Sequence, residues 1–181
     1  MIWIFLAIVV IAVLWYVSTY NSFIQLKNKV EEAFSTMDVY LKKRWDLIPN
    51  LVETVKGYAK HEENTLKQIT ELRTSSYDDM SASEKVAVNE KLSQGISKLI
   101  AVSEAYPELK ANENFNNLSN QLQAVEEDIA NARKYYNANV RNMNDKVQMF
   151  PSNIIANIFG FKSREMFEVD EAQRENVKVE F

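Results

Sequence analysis

Residues 30–58, VEEAFSTMDVYLKKRWDLIPNLVETVKGY, place apolar side chains three or four positions apart over about eight helical turns. This spacing puts them on one face of an α-helix that packs in a bundle, and Arg44 alone interrupts that face with a charge. The phase continues through Pro49, so we expect the helix to bend there, or to restart with Asp46 as its cap. The apolar positions are Val30, Phe34, Met37, Leu41, Ile48, Leu51, Val55 and Tyr58, and Leu66, Ile69 and Leu72 extend the series.

The first 17 residues, MIWIFLAIVVIAVLWYV, are apolar at every position, and no charged side chain occurs before Lys27. Residues 1–26 would reach roughly 39 Å as a helix, enough to cross a hydrocarbon core of about 30 Å. A cleaved signal peptide would need a basic start and a small-residue cleavage site, and the sequence has neither. We therefore expect a retained transmembrane signal anchor. The basic residues that follow predict a single-pass cell-membrane protein with its amino terminus outside and its bundle cytoplasmic. They are Lys27, Lys29, Lys42, Lys43 and Arg44.

Three prolines and three glycines in 181 residues favour long, uninterrupted helices. We expect a second soluble helix over residues 83–106, capped by Ser83, and a third over 115–147, followed by a short helix that ends at Gly160. The predicted fold is all-α, with an amino-terminal transmembrane helix that continues into a long-helix antiparallel bundle. The predicted domains are the anchor (1–26), the helical bundle (27–160) and a tail (161–181) that is extended or disordered.

Arg44 and its surroundings are the least ordinary feature of the predicted bundle. A buried unpaired charge costs several kcal/mol, so the guanidinium needs acceptors, either in a structural ion pair or in a bound ligand. Pro49 has no N–H to donate to the Trp45 carbonyl, and Gly57 would let another backbone approach closely. The candidate acceptors for Arg44 are Asp38, Asp46, Glu126, Glu127 and the Trp45 carbonyl.

YNSFIQLKNKVEEAFSTMDVYLKKRWDLIPNLVETVKGYAKHE (residues 20–62) resembles the signature of the LemA family of bacterial membrane proteins. ANARKYYNANVRNMNDKVQMFPSNIIANIFGF, the later MFE and the final VKVEF resemble that family's third helix, short helix and tail. The resemblance implies one transmembrane helix and a long-helix bundle, without an assigned activity. Its first motif is carried by Arg44, Asp46, Leu47, Ile48, Pro49, Asn50, Leu51 and Val52, and its second by Arg133, Tyr136 and Asn137.

Metal and cofactor chemistry finds little support in the residue inventory. A di-iron bundle needs two Glu-x-x-His pairs, but the chain has one histidine, His61, for which we expect a solvent-facing role. It has no cysteine, no Gly-rich phosphate loop and no nucleophile motif. Its net charge of −4 gives no basic footprint for nucleic acid. We therefore expect no enzymatic activity, no cofactor, no metal site and no nucleic-acid partner.

The shape predicted by these segments suits lateral contacts better than the enclosure of a substrate. We expect a membrane-anchored scaffold or self-assembling module that is in contact with the lipid bilayer and forms a homo-oligomer. A transmembrane signalling or sensor module that uses the bend at Pro49 and acts on a membrane-protein partner is the alternative.

Overall fold

A computed structural model describes residues 1–59, 62–73 and 76–167 of the chain, and these residues contain helices and no strand. A short 3₁₀ turn at Tyr77–Asp79 precedes the third α-helix. The predicted all-α class, a long apolar first helix followed by a helical bundle, is confirmed. The α-helices of this part of the chain are α1 (Ile2–Lys56), α2 (Glu63–Glu71), α3 (Ala82–Ser103), α4 (Pro107–Lys110), α5 (Glu113–Gln148) and α6 (Ser152–Phe159).

The described residues form two compact units, and α1 and α5 each supply a segment to both. We call residues 1–34 with 133–167 the anchor unit and residues 35–132 the bundle unit. In the anchor unit, α1 and α5 are antiparallel, because Ser22 contacts Lys146 whereas Phe34, farther along α1, contacts Tyr136. The predicted domain boundaries after residues 26 and 160 stay predictions.

The bundle unit shows the same antiparallel order. Arg44 of α1 contacts Glu126 of α5, and Tyr58, just after α1, contacts Asn112, just before α5. A residue later in α1 therefore contacts a residue earlier in α5, so the two helices run antiparallel in this unit as well.

The predicted apolar stripe is buried at Val30, Met37, Leu41, Ile48, Leu51 and Val55, whereas Phe34 is half-buried and Tyr58 is exposed. The helix runs without interruption through Pro49, so the predicted alternative of a restart capped by Asp46 is wrong. The helix ends instead at Lys56, and the chain turns before α2 begins at Glu63. The burial of apolar side chains on both sides of the proline, Trp45 and Ile48 before it and Leu51 and Val52 after it, offsets the roughly 3 kcal/mol that proline costs inside a helix.

Gly57 does not have the role that we predicted for it. A Cβ placed there would meet, among the described residues, the Thr54 carbonyl of its own chain segment at 3.5 Å, an ordinary contact. The close approach lies at Gly95 of α3, where a Cβ would come within 2.8 Å of Ile69 Cγ1 on α2. Gly95 therefore allows α2 to pack tightly against α3.

The start of α3 also differs from the prediction. Ser81, not Ser83, caps the helix: its hydroxyl accepts a hydrogen bond from the Glu84 N–H (3.3 Å), and its own N–H donates to the Glu84 carboxylate (2.8 Å). This reciprocal pair is a capping box. The Glu84 carboxylate also accepts a hydrogen bond from the Ser81 hydroxyl at 2.6 Å, and this bond together with the one from the Ser81 N–H holds the pKa of Glu84 below its usual value.

The core of the anchor unit joins α1, α5, α6 and the first part of the tail. Gly160, with φ of 72°, ends α6 as predicted. Residues 161–167 then continue in an extended conformation, and Phe161 and Phe167 pack against the core, which favours the docked alternative for this part of the tail. Residues 168–181 lie outside the described residues. The fully or largely buried core residues are Phe23, Val30, Ala33, Tyr136, Val140, Met143, Ile155 and Ala156.

The apolar start of α1 is uncovered. Residues 1–18 are all exposed, and Thr19 is the first buried residue. Among the residues that the structure describes, α1 is the one helix long and apolar enough to cross a membrane, with a mean hydropathy of 2.5 over its best window. An apolar helix that leaves this many large side chains uncovered is typical of a membrane anchor rather than of a core helix.

Candidate functional site

Arg44 lies at the centre of a polar cluster inside the bundle unit, with 1% of its surface exposed. Its Nε donates to Asn89 Oδ1 at 3.0 Å, and its Nη2 donates to the Asn89 carbonyl at 2.8 Å. Its Nη1 donates to Ser93 Oγ at 2.6 Å and to Glu126 Oε2. One guanidinium therefore links α1 to α3 and α5.

The charge of Arg44 is balanced at the edge of the cluster rather than in its interior. The Glu126 side chain is 49% exposed, so its carboxylate keeps part of its hydration while it meets the buried guanidinium. Ser93 also donates to Glu126, and the amide group of Asn89 donates to the Lys85 carbonyl. The cluster thus places neutral polar groups around the buried part of the cation and the anion near solvent.

Of the predicted acceptors for Arg44, Glu126 is confirmed and two others have different partners. Asp46 pairs with Lys42 at 2.6 Å on the exposed side of α1. Asp38 accepts hydrogen bonds from Lys85 (2.9 Å) and the Tyr77 hydroxyl (2.7 Å). The carbonyl that Arg44 uses belongs to Asn89 of α3 and not to Trp45, because the guanidinium extends away from its own helix.

Tyr77 forms a second polar contact in the bundle unit. Its ring lies 5.4 Å from that of Trp45, and the Lys85 ammonium sits 4.6 Å from its centre. Burial raises the pKa of Tyr77, and the hydrogen bond to Asp38 and the carboxylate charge raise it further. The hydroxyl is therefore held in its neutral, proton-donating form.

In the anchor unit, two asparagines of α5 hold the backbone of the extended tail. Asn137 donates to the Phe167 carbonyl at 2.7 Å and accepts from the Phe167 N–H at 2.9 Å. Asn144 does the same with the carbonyl and N–H of Arg164, both at 2.8 Å. We call these two pairs the asparagine clamp.

The spacing of the clamp has a simple geometric basis. Seven residues of α-helix rise about 10.5 Å, and three residues of extended chain span about 10 Å. Asn137 and Asn144 therefore meet two tail residues that lie three positions apart. The tail runs antiparallel to α5.

Tyr136 packs beside the clamp. Its ring stacks on Phe167 at 4.7 Å and meets Phe34 edge-on at 6.1 Å. The hydroxyl donates to the Glu165 carbonyl at 3.4 Å, a long hydrogen bond, and burial raises the pKa of Tyr136. Arg164 adds an ion pair with Glu31 of α1 at 3.3 Å. Aromatic, amide and charged contacts thus attach the tail to one surface.

Comparison with known families identifies the family to which this chain belongs. The profile of the LemA family matches residues 33–181, from the bundle-facing part of α1 through the end of the chain. The chain belongs to the LemA family. The motif residues 44–52 and Arg133, Tyr136 and Asn137 lie within this range, and so do α3 and α5, which carry the partners of Arg44.

Curated relatives of this LemA family chain are similar over nearly all of it. "Protein LemA" of Metamycoplasma hominis is 24% identical over 163 residues, covering 90% of this chain and 74% of the relative. "Magnetosome protein MamQ 2" of Paramagnetospirillum magneticum is 24% identical over 193 residues, covering 90% and 71%. "Magnetosome protein MamQ" of Magnetospirillum gryphiswaldense is 22% identical over 192 residues, with the same coverage.

The LemA motif residues do not form a single constellation within either unit. Arg44 is buried, whereas Asp46 and Asn50 lie on the exposed side of α1, and Pro49 is half-buried between them. The Asn50 carbonyl accepts a hydrogen bond from the Thr54 hydroxyl at 2.7 Å. In the anchor unit, Tyr136 and Asn137 hold the tail, and Arg133 is half-buried one turn before Asn137. The Gly57 position contributes a turn after α1.

Several residues of these clusters were not singled out from the sequence. Asn89 is fully buried on α3, on the same face as the buried apolar residues Leu92, Ile96 and Leu99. The heptad spacing of Asn137 and Asn144 was a usable signal. The missed residues are Tyr77, Lys85, Asn89, Ser93, Asn144 and Arg164.

Over residues 1–59, 62–73 and 76–167, no group of three or more acidic or histidine side chains is placed to hold a metal ion. His61 lies outside these described residues. The polar atoms of the Arg44 cluster are directed at one another, an arrangement that fixes helices rather than presenting reactive groups to a substrate.

Proposed function

We propose that this LemA family protein is a membrane-anchored scaffold that self-associates in the plane of the membrane and has no catalytic activity. The observation that carries the proposal is the use of Arg44. Arg44 is the residue best suited to bind a ligand, but its Nε, Nη1 and Nη2 all donate hydrogen bonds to groups of its own bundle. A ligand could bind the guanidinium only by displacing those partners, so the cluster favours a structural role.

The surface available for lateral contact is the uncovered apolar segment of α1. In a bilayer, helices associate by packing and by interhelical hydrogen bonds, and a helix that the rest of its own chain leaves exposed is free to do so. A scaffold built this way uses the membrane to concentrate its copies. Two of the relatives carry the name of the magnetosome, which is compatible with a role in a larger assembly.

Cysteine cross-linking tests self-association directly, because the chain has no cysteine of its own. Leu6→Cys or Val10→Cys in the apolar segment should give disulfide-linked dimers in native membranes. Lys98→Cys, at an exposed position of α3, is the matched control and should give few disulfide-linked dimers. Strictly monomeric particles by native mass measurement in detergent, at every protein concentration, would contradict the proposal.

We also propose that the chain crosses the membrane once, with the bundle unit in the cytoplasm, on the strength of the basic residues that follow the apolar segment. A membrane-impermeant maleimide should label Ile2→Cys in intact cells and Lys98→Cys only after the membrane has been permeabilised. The reverse labelling pattern would overturn this orientation.

A signalling or sensor function is the second candidate, and the continuity of α1 favours it. The helix runs from the apolar segment through Pro49 to Lys56 without a break. If a bend at the proline acts as a switch, Pro49→Ala should change the behaviour of a partner captured from membranes while the bundle remains folded. A change in thermal stability alone would leave this candidate without support.

A further inference from the structure

The anchor unit carries a second apolar surface next to the end of the uncovered apolar segment. We call it the apolar rim. Its side chains lie at the end of α5 and along α6, and they are exposed although all are large and apolar: Phe150 is 79% exposed and Ile158 is 62% exposed. The rim consists of Met149, Phe150, Ile154, Ile158 and Phe159.

α6 is apolar on both of its sides. Ile155 and Ala156 face the core of the anchor unit and are buried, whereas Ile154 and Ile158, one turn apart, lie on the opposite side and are exposed. Water normally meets polar side chains on the outer face of such a helix. The outer side of α6 exposes Ile154, Ile158 and Phe159 beside a single polar residue, Asn157, and such a largely apolar outer side is typical of a helix in contact with lipid or with protein.

Two sets of contacts fix the level of the rim along α1. The Phe159 ring lies 5.9 Å from that of Tyr16 and 4.6 Å from that of Tyr20. Met149 and Phe150 line one cavity together with Trp15 and Thr19. The rim therefore lies beside α1 over residues 15–20, where the uncovered apolar segment ends.

The length of the apolar segment then determines what the rim meets. A hydrocarbon core of about 30 Å needs about 20 helical residues, but the uncovered run of 17 apolar residues rises only about 25 Å. The uncovered run ends at residue 18, so the near boundary of the hydrocarbon core lies at about the level of the interfacial aromatic residues Trp15, Tyr16 and Tyr20. That is the level at which the rim lies beside α1, so the rim would supply apolar surface that the segment alone lacks.

We propose that the apolar rim is a membrane-interface surface, inserted among the lipid chains and headgroups of the leaflet on the side of the anchor unit. Asp145 and Lys146, which line the same cavity as Phe150, would then lie at the headgroup level. The aromatic residues Trp15, Tyr16 and Tyr20 belong to the same belt. The protein thus contacts the bilayer through α6 as well as through its transmembrane helix.

Spin labels can measure this contact on the full-length chain in lipid nanodiscs that hold one copy each. Phe150→Cys and Ile158→Cys place a label on the rim without disturbing Phe159, which packs on the tyrosines. Val10→Cys is the reference inside the membrane, and Ala138→Cys, exposed on α5 of the same unit, is the reference in water. The discs contain a mixture of zwitterionic and anionic phospholipids.

The readout compares the accessibility of each label to oxygen, which concentrates in lipid, with its accessibility to a water-soluble nickel chelate. We expect rim labels to show an oxygen-to-nickel ratio several-fold above that of Ala138→Cys and close to that of Val10→Cys. Ready access of the nickel chelate to both rim labels would overturn the proposal. Shielding from both reagents would also overturn it, because it would show that protein covers the rim.

Circular dichroism and thermal unfolding of each labelled variant establish that the anchor unit is intact. If one rim variant fails to fold, the other gives the same test, since Phe150 precedes α6 and Ile158 lies within it. The result is independent of self-association and of orientation, because single copies are measured and either leaflet would give the same ratio.

Discussion

The bundle unit and the anchor unit solve the same problem, the attachment of distant chain segments, with different chemistry. In the bundle unit a buried cation joins three helices through Asn89, Ser93 and Glu126. In the anchor unit the neutral side chains of Asn137 and Asn144 hold backbone groups of the tail. Removing a partner of a buried charge costs much stability, because the charge is left without a counter-charge or hydrogen bond. Removing an asparagine that binds exposed backbone costs little, because water can take over its hydrogen bonds.

This difference predicts how each unit fails. Breaking the Arg44 cluster should destabilise the whole bundle unit, because the same residue contacts α1, α3 and α5. Breaking one half of the asparagine clamp should release only a short part of the tail. The four predictions that follow test this contrast, beginning with the largest expected effect.

Removal of the Arg44 side chain should give the largest loss of stability. Arg44→Ala leaves a cavity and removes the donors that satisfy both oxygens of Asn89, at a cost of roughly 3–5 kcal/mol. Arg44→Lys should recover only part of this loss, because an ammonium cannot reproduce the forked contacts. Thermal unfolding followed by circular dichroism in detergent measures both variants.

The matched control is Lys42→Ala, which breaks an exposed ion pair with Asp46 on the same helix. It should change the stability by less than about 1 kcal/mol. Equal effects of Lys42→Ala and Arg44→Ala would show that the buried cluster does not hold the bundle unit together.

The second prediction uses one tyrosine from each unit. Burial raises the pKa of Tyr77 and of Tyr136, and the neighbouring Asp38 carboxylate adds to the effect at Tyr77 alone. An unfolded tyrosine loses its proton near pH 10, whereas these two keep theirs in the folded state. Their contribution to stability is therefore complete below about pH 10 and is lost as the pH rises above it.

Each tyrosine can add at most about 1.4 kcal/mol per pH unit to this alkaline loss. Tyr77→Phe and Tyr136→Phe should each make the fall of stability above pH 10 shallower, with the larger change for Tyr77→Phe. Tyr135→Phe is the control, because that side chain is about half exposed. Urea unfolding at several alkaline pH values gives the slopes, and a larger effect for Tyr136→Phe would contradict the role given to Asp38.

The third prediction concerns the asparagine clamp. Asn137→Ala or Asn144→Ala removes two hydrogen bonds to exposed or half-buried backbone, so each should cost about 1 kcal/mol or less of global stability. The larger effect is local: the amide of Phe167 should exchange faster in Asn137→Ala, and that of Arg164 in Asn144→Ala. Hydrogen exchange of the full-length chain measures both.

Asn142→Ala, an exposed position of α5 between the two clamp residues, is the control and should leave both amides unchanged. If Asn137→Ala unfolds the anchor unit as thoroughly as Arg44→Ala unfolds the bundle unit, the contrast between charged and neutral attachment is lost. Exchange that stays slow in both clamp variants would show that aromatic packing alone holds the tail.

Periodicity was enough to predict the features that depend on one helix at a time. The apolar segment, the buried stripe of α1, the long α5 and the end of α6 at Gly160 all follow from spacing and breakers. Arg44 stood out for the same reason, as a charge in an apolar series. Glu126 was among its predicted partners because it lies on a helix expected to face α1.

The features that depend on how helices meet could not be predicted in this way. The buried face of α3 carries Leu92, Ile96 and Leu99, and spacing alone does not show that the same face buries Asn89 against Arg44. The helix continues through Pro49 but ends at Lys56, so the extension of its apolar series to Leu66 and Ile69 in one helix is wrong: these two residues lie on α2. The tight contact at Gly95 depends on where α2 docks, which the spacing within either helix does not determine.

The last prediction calibrates the others, because it concerns a local contact that joins no distant segments. Ser81→Ala removes the hydroxyl that caps α3 and should cost about 1 kcal/mol, whereas Ser83→Ala, two residues into the helix, should cost little. Thermal unfolding of the two variants compares serines that differ in position and not in chemistry. A larger loss for Ser83→Ala would restore the cap first expected from the sequence. If Ser81→Ala costs as much as Asn137→Ala, a neutral contact between distant segments is worth no more than a neutral contact within one turn, and only the buried charge of Arg44 sets the bundle unit apart.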